Sequence, residues 1–244
     1  YVAWNWLGAN GTASNSDGSI TSTVSANTTA GFSIVSYTGN GSNATIGHGL
    51  NAVPKMIIVK KRNASAVWFV NHGSLSATQN VYLNDTASVQ SDNVFASRGT
   101  STFGITSSTG INNSGDTFIA YCFAEKQGYS KFGSYLGNAN ADGTFVYTGF
   151  KPAFVMIKQT TSATYWHIYD NKRSSSGGSN VINDVLYPNR SDAEYSEDRI
   201  DFVSNGFKIR TTNEDINKDG NTFIYMAFAE SPFVGSNFVP NNAR

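Results

Sequence analysis

The chain repeats one sequence pattern, and this repeat limits the folds that it can adopt. Three blocks recur after 98 residues, and they are 37–40 with 135–138 (YTGN, YLGN), 55–60 with 153–158 (KMIIVK, AFVMIK), and Trp68 with Trp166. A fourth block, 117–125 (TFIAYCFAE), recurs at 222–230 (TFIYMAFAE) after 105 residues, so the second copy carries seven extra residues. Four blocks in one order predict two copies of one folding unit.

Both copies have the composition of β-strands. Residues 32–37 and 144–147 are rich in β-branched and aromatic side chains, and turn residues separate such runs at intervals typical of all-β domains. The run at 55–60 is continuously apolar, which predicts a central strand buried on both faces, with its antiparallel partner at 67–70. Residues 206–210 and 222–228 flank a polar turn and predict a hairpin. We therefore expect an all-β chain of two tandem, homologous antiparallel β-sandwiches of the jelly-roll kind.

The predicted domains are an N-terminal strand with a polar connecting arm at 1–30, one sandwich at 31–127 and a second at 128–244. Residues 1–6 (YVAWNW) resemble the last strand of each copy. They either close a preceding unit or complete the first sandwich, and we favour the second alternative because an aromatic strand left alone would aggregate.

Composition excludes several classes of partner. The 17 basic and 17 acidic residues cancel, so no long-range charge favours nucleic acid or an anionic membrane. No apolar run reaches the roughly 20 residues that cross a bilayer, so we expect no membrane insertion. Only 14% of residues are charged, and a neutral polar surface of this kind is typical of extracellular or virion-exposed β proteins.

Two segments resemble virion proteins of bacteriophages. Residues 46–50 (IGHGL), followed by 53–60 (VPKMIIVK), are similar to a segment common in tail-fibre proteins. The endings CFAE and MAFAE of the two copies resemble a tandem β-sandwich module of unassigned activity at the C-terminal ends of phage structural proteins, many of them marine. The resemblance covers the whole chain and implies a virion or extracellular location, but no activity.

Catalytic interpretations are weak. His48, His72 and His167 are not retained between the copies, and no Gly-x-Ser-x-Gly element is present. His48 lies between glycines and predicts a turn in which the ring bonds a neighbouring backbone group. Cys122 aligns with Ala227 and predicts a small buried residue. We interpret Trp68 and Trp166, at equivalent positions, as core residues. The carboxylates of 192–198 resemble a glycosidase pair only loosely, since they share one loop of the second copy.

Metal binding has one weak candidate. Residues 215–220 (DINKDG) match the first half of a calcium loop, with Asp215, Asn217 and Asp219 as ligands, but Met226 stands where the twelfth-position acid belongs. A bare hairpin turn is the preferred interpretation. We expect no cofactor, with calcium left possible.

The predicted function is a non-enzymatic phage structural module, a tail-fibre domain that binds host-surface polysaccharide. Alternatives are a capsid or tail decoration protein, a glycan-degrading spike enzyme, and a bacterial surface adhesin or filament subunit. We expect the chain to form a homo-oligomer, possibly a trimer, and to contact other virion proteins. Ligand contacts are expected in loops that differ between the copies, from Tyr187, Glu194, Tyr195 and Glu197, and from the stretch at 174–179.

Overall fold

A computed structural model describes residues 2–173 and 180–231, and these residues form two compact units. The first unit comprises Trp4–Asp85 and Val89–Glu125. The second comprises the described residues from Lys126 onwards, with residues 2–3 and Thr86–Ser88. The prediction of an all-β protein is confirmed, because both units consist of antiparallel strands with one helical turn each. No helix among the described residues is long and apolar enough to cross a membrane.

The first unit contains ten strands and one short helix. In chain order these are β1 (Ala13–Asn15), β2 (Ser22–Asn27), β3 (Phe32–Thr38), β4 (Ala44–Gly47), β5 (Met56–Lys61), β6 (Phe69–His72), β7 (Val81–Tyr82), β8 (Phe95–Arg98), β9 (Thr102–Ile105), α1 (Thr109–Asn112) and β10 (Thr117–Phe123). Seven strands form a sheet in the order β1-β2-β3-β10-β5-β6-β7, and β4-β9-β8 form a second sheet. The core lies between the two sheets.

The second unit repeats this plan. Its elements are β11 (Ser130–Leu136), β12 (Phe145–Tyr147), β13 (Phe154–Gln159), β14 (Trp166–Asp170), β15 (Val181–Leu186), β16 (Tyr195–Val203), β17 (Gly206–Ile209), α2 (Glu214–Asn217) and β18 (Thr222–Phe228). They form one sheet in the order β11-β18-β13-β14-β15-β16-β17-β12.

Corresponding strands have the same neighbours in the two units. The order β3-β10-β5-β6-β7 of the first unit matches β11-β18-β13-β14-β15 of the second, and β8-β9-β4 matches β16-β17-β12. The units differ where β15 pairs with β16 over several residues. In the first unit, only a single bridge between Asn80, directly before β7, and Gln90 stands in the place of this pairing, so the sheet is interrupted there.

The predicted central strand is confirmed. β5 lies between β10 and β6, and its residues 56–59 are all buried. β13 occupies the same place between β18 and β14, and all six of its residues are buried. Burial on both faces explains the continuous apolar run, since neither face meets water.

Each unit is tied together by one buried asparagine on its helix. The Asn112 side chain donates to the carbonyls of Ser42 and Thr106 and accepts from the backbone N–H of Asn40. Asn217 makes the same three bonds in the second unit. A tyrosine supports each helix, because the hydroxyls of Tyr37 and Tyr135 donate to the carbonyls of Ile111 and Ile216, both at 2.7 Å.

Two predicted elements are wrong. Residues 2–9 contain no strand, although the Trp6 ring meets the Phe123 ring edge to face at 5.9 Å. Strands form instead in the segment that we expected to be a polar arm, because β2 pairs with the edge of β3. The predicted hairpin is also absent. β17 pairs with β16 and β12, whereas β18 pairs with β11 and β13, and α2 separates the two strands.

Candidate ligand-binding site

The repeat allows each side chain of one unit to be compared with its counterpart in the other. Phe69 lies opposite Val59 on β5, and His167 lies opposite Ile157 on β13, 98 residues later. Phe69 meets the Tyr82 ring at 5.5 Å, and His167 meets the Tyr187 ring at 4.9 Å, in both cases edge to face. A buried histidine of the second unit therefore takes the place of a core phenylalanine.

A second apolar core position of the first unit is occupied by a charged residue in the second unit. The carbonyl of Val94 accepts from the Thr106 N–H at 3.0 Å, and the carbonyl of Arg199 accepts from the Arg210 N–H at 2.8 Å. The strand registers give the same match, since Phe95 lies opposite Ile105 and Ile200 lies opposite Ile209. Arg199 is therefore the counterpart of Val94, which is 3% exposed and packs in the first core. The Arg199 residue is likewise buried, at 6% exposure.

The guanidinium of Arg199 lies between a histidine and a carboxylate. Its Nη1 is 3.4 Å from Nε2 of His167, and its Nε donates to Oε2 of Glu197 at 2.8 Å. Burial, followed by the positive charge of Arg199, lowers the pKa of His167 to about 3, so the imidazole is neutral at physiological pH. A neutral imidazole beside a buried guanidinium can accept a hydrogen bond from it without adding a second positive charge.

Two buried polar atoms next to Arg199 have no hydrogen-bond partner in good geometry among the described residues. These are Nδ1 of His167 and the hydroxyl of Tyr169, which lies two residues further along β14. Burial raises the pKa of Tyr169, so this hydroxyl is protonated. The neighbouring Arg199 acts on the same pKa in the opposite direction, but burial has the larger effect. Unpaired buried groups cost about 1–3 kcal/mol each, so they require an explanation beyond packing.

The cluster continues to the surface through aromatic rings. Arg190 lies 4.3 Å from the centroid of the Tyr165 ring and 5.5 Å from that of Tyr187, and it also forms an ion pair with Asp192. The two tyrosine rings meet edge to face at 5.7 Å, and both residues are partly exposed. We call Tyr165, Tyr187, Arg190, Glu197 and Arg199 the tyrosine–arginine site. It combines partly exposed aromatic rings, two cations and one carboxylate.

The structure brings together three of the four predicted ligand-contact residues. Tyr187 and Glu197 belong to the tyrosine–arginine site, and the half-exposed Tyr195 ring lies 5.6 Å from the Arg199 guanidinium. Glu194 is placed elsewhere, because its carboxylate accepts from Nη1 of Arg173 at 2.5 Å. The stretch at 174–179 lies outside the described residues.

Sequence reasoning missed His167, Arg199, Tyr165 and Arg190. The alignment of His167 with Phe69 is a sequence signal for this histidine, but ordinary divergence between two copies produces the same signal. Arg199 could not be aligned from sequence. A bulge between Phe95 and Ser97, and the different length of the loop before it, shift the register between the copies.

Side chains in and next to the candidate calcium loop make hydrogen bonds with backbone groups. Asn213 caps α2 by accepting from the Asp215 N–H at 2.9 Å, so the predicted bare turn is a short capped helix. Asn217 is buried, and its amide makes the three bonds described above, which leaves its side chain unavailable to a cation. Among residues 2–173 and 180–231, no three His, Cys, Asp or Glu side chains are grouped so that they could hold a metal ion.

Three other candidate residues have structural roles. His48 is buried, with Nδ1 accepting from the Leu50 N–H and Nε2 3.2 Å from the Gly99 carbonyl, so the predicted backbone-bonding turn is confirmed. Cys122 is fully buried, as predicted, and burial raises the pKa of its thiol to about 12. His72 accepts from the Ser74 N–H, and its counterpart Asp170 accepts from the Lys172 N–H in the same turn.

The predicted core tryptophans are not alike. Trp166 is 1% exposed, whereas Trp68 is only partly buried, with the Lys60 ammonium 5.9 Å from its ring. Their backbones are equivalent, because the N–H groups of Trp68 and Trp166 donate to the side chains of Asn84 and Asn189. The prediction is therefore confirmed for Trp166 and wrong for Trp68.

Comparison with known proteins identifies a family but no characterised relative. No curated protein and no solved structure matches the chain. A family model described as "Domain of unknown function (DUF7483)" matches residues 1–232, which is nearly the whole sequence. The chain therefore belongs to the DUF7483 family, a family of unknown function.

Proposed function

We propose that this chain is a non-enzymatic binding module and that its second unit binds a surface glycan at the tyrosine–arginine site. One observation carries the proposal. Two apolar core positions of the first unit, Phe69 and Val94, are replaced in the second by His167 and Arg199, and the His167 ring contacts the partly exposed Tyr187 ring. If the second copy has gained a binding site, we expect that copy alone to have lost some core stability.

The side chains of the site suit a sugar. The Tyr165 and Tyr187 rings offer aromatic edges and faces to the C–H groups of a pyranose, and the Arg190 and Glu197 side chains can donate to and accept from its hydroxyls. Each arginine of the site has one carboxylate partner, Arg190 with Asp192 and Arg199 with Glu197. Arg190 and Asp192 are both exposed, so the carboxylate of an acidic sugar can replace Asp192 and accept paired hydrogen bonds from the Arg190 guanidinium. We therefore expect a preference for acidic sugars.

The carboxylates are arranged for binding rather than hydrolysis. A glycosidase needs two carboxyl groups facing one bond, one of them free to donate a proton. Glu197 accepts two bonds from Arg199, and Glu194 accepts from Arg173, a different arginine. Each carboxylate is thus committed to a separate cation.

The sequence resemblance supports a location of this binding module on a phage particle. We propose that the chain is part of a tail fibre and that several copies assemble, so weak individual contacts with host polysaccharide combine into avidity. This part of the proposal depends on the segments at 46–60 and on the strand endings described above, and the glycan part depends on the tyrosine–arginine site.

Titration of the protein with acidic and neutral polysaccharides by calorimetry tests the glycan site. Arg190→Ala should weaken binding of the acidic polymer at least ten-fold, because it removes the guanidinium that binds the sugar carboxylate. The variant should still fold, since Arg190 is exposed and its removal does not open the core. Tyr82→Ala provides the matched control in the first unit, since Tyr82 is the counterpart of Tyr187, and it should leave the affinity unchanged.

Two results would contradict the proposal. Equal loss of binding in the Arg190 and Tyr82 variants would exclude a site specific to the second unit. Reducing sugar ends released by the wild-type protein, and abolished in the double variant Glu194→Gln, Glu197→Gln, would show that the module is an enzyme.

A further inference from the structure

The sheet of the second unit ends in two strands whose outer edges pair with no other described strand. These strands are β11 and β12, at opposite ends of the order β11-β18-β13-β14-β15-β16-β17-β12. An open groove of about 680 Å³ lies between them, and Tyr225 of β18 lines it as well. The Thr144 hydroxyl donates to the Leu136 carbonyl at 2.6 Å, which ties the two strands together at one end.

In the first unit, the corresponding edge is occupied. β2 pairs antiparallel with β3, the counterpart of β11, and sets Thr23 opposite Ser36 and Ser25 opposite Ile34. The same segment also reaches β4, the counterpart of β12, because the Ile20 N–H donates to the Thr45 carbonyl at 3.1 Å. One extended segment thus covers both edges.

Linker length explains why the segment before β11 does not provide this cover in the second unit. The first unit has residues 13–27 in front of β3, and they supply β1 and β2. β11 follows β10 after only residues 124–129, which form a turn closed by the Ser130 N–H donating to the Lys126 carbonyl. Six residues cannot cross back and form a further strand along β11, since a reversal and a strand of five residues need about ten.

The groove has the surface of an interface. Leu136, Phe145 and Tyr147 border it and are 59%, 44% and 64% exposed, although large apolar side chains are normally covered. Its other lining residues are neutral, with hydroxyls from Ser134, Thr144 and Thr222. None of the described residues that line the groove is charged, so it is suited to an uncharged partner.

The backbone of β11 offers hydrogen bonds to such a partner. The Ala229 N–H donates to the Tyr129 carbonyl, and the Gly137 N–H donates to the Asn221 carbonyl, so odd-numbered residues of this strand face β18. The alternation of an antiparallel ladder then directs the N–H of Ser134 outwards. Ser134 is the counterpart of Ser36, which β2 pairs with in the first unit.

We propose that the edge of β11 binds an extended strand from another polypeptide. The strand runs antiparallel to β11, as β2 does to β3, and it is uncharged, rich in Ser and Thr, with β-branched residues that pack against Tyr225 and Phe145. This is sheet extension by strand addition, in which backbone bonds supply affinity and side-chain pockets supply selectivity. The site is separate from the tyrosine–arginine site and does not depend on glycan binding.

The probe is a labelled peptide of residues 18–28 (GSITSTVSANT), the segment that covers the equivalent edges of the first unit. We expect saturable binding to the full chain by fluorescence anisotropy, and none for a scrambled peptide of the same composition. Ser134→Pro removes an outward N–H without removing a bond to β18, and it should weaken binding at least ten-fold. Leu7→Ala changes an exposed apolar residue of the first unit and should have no effect.

Three results would overturn the proposal. Binding that survives Ser134→Pro but is lost in Ser36→Pro would mean that the peptide exchanges with β2. Binding seen only after removal of residues 232–244 would make the chain's own C-terminal segment the occupant. A dimer in sedimentation that Ser134→Pro dissociates, without any peptide binding, would make a second copy the occupant. Circular dichroism verifies that each variant is folded.

Discussion

His167 of the second unit occupies the position of Phe69 in the first, and both rings meet a tyrosine edge to face. The imidazole fills the volume of a core aromatic ring, but its buried Nδ1 has no hydrogen-bond partner in good geometry among the described residues. Comparison of Phe69 with His167 therefore shows that the fold needs an aromatic ring at this position, whereas the ring nitrogens are particular to the second unit.

Replacing His167 by phenylalanine should stabilise the second unit. The change removes an unpaired buried nitrogen and restores the apolar side chain that the same fold accepts at Phe69, so we expect a gain of about 1–2 kcal/mol in the free energy of unfolding. Urea unfolding followed by circular dichroism measures it. The reverse change, Phe69→His, should cost about 2–3 kcal/mol. A destabilised His167→Phe variant would show that the imidazole makes a bond that the fold requires.

The pH dependence of unfolding should follow the same histidine. The folded pKa of about 3 lies below the ordinary value near 6.5, so as the pH falls the unfolded chain binds this proton first. The contribution of neutral His167 is complete above pH 6.5 and is lost at up to about 1.4 kcal/mol per pH unit between 6.5 and 3.

Urea unfolding of the wild type and of His167→Phe at pH 7, 6, 5 and 4 isolates this effect, because both proteins contain the same carboxylates. The difference between their free energies of unfolding should widen as the pH falls. Parallel curves would mean that His167 is solvated, or protonated, in the folded protein.

Loss of the buried asparagine should be costly, and equally so in both units. Asn112→Ala and Asn217→Ala each leave two carbonyls and one N–H unpaired beside the helix, so we expect a loss of about 2–4 kcal/mol in the unit that carries the change. Asn140→Ala is the control, because its exposed side chain accepts only a local bond from the Asp142 N–H and should cost less than about 1 kcal/mol. A loss below that value for Asn217→Ala would contradict the assigned role.

Sequence alone predicts the strands that are buried and repeated. Residues 55–60 and 153–158 are apolar on both faces, and the spacing of 98 residues links them without any structure. The pairing of β5 with β6 is also predicted and is confirmed, whereas the partners of β17 and β18 are not predicted. Each has a strand pattern, but α2 lies between them, and a one-turn helix of four residues leaves no periodicity to detect.

The candidate site was predicted in part, for a physical reason. Tyr187 and Glu197 lie in a segment that differs between the copies, which the sequence reveals. Their grouping around Arg199 depends on the pairing of β15 with β16, a long-range contact whose register shifts at a bulge between Ile182 and Asp184. Polar residues in a strand otherwise resemble solvent-facing positions, so the burial of Arg199 had no local signal.

The two tryptophans should differ in their contribution to stability. Trp166 is fully buried, so Trp166→Ala opens a large cavity and should cost about 3–5 kcal/mol. Trp68 is partly exposed at the equivalent position, and its ring lies near the Lys60 ammonium, so Trp68→Ala should cost about 1–2 kcal/mol. Urea unfolding of each variant by circular dichroism, compared with wild type, gives the two values. Equal losses would indicate that the exposed face of Trp68 is covered in solution, as it would be in an oligomer.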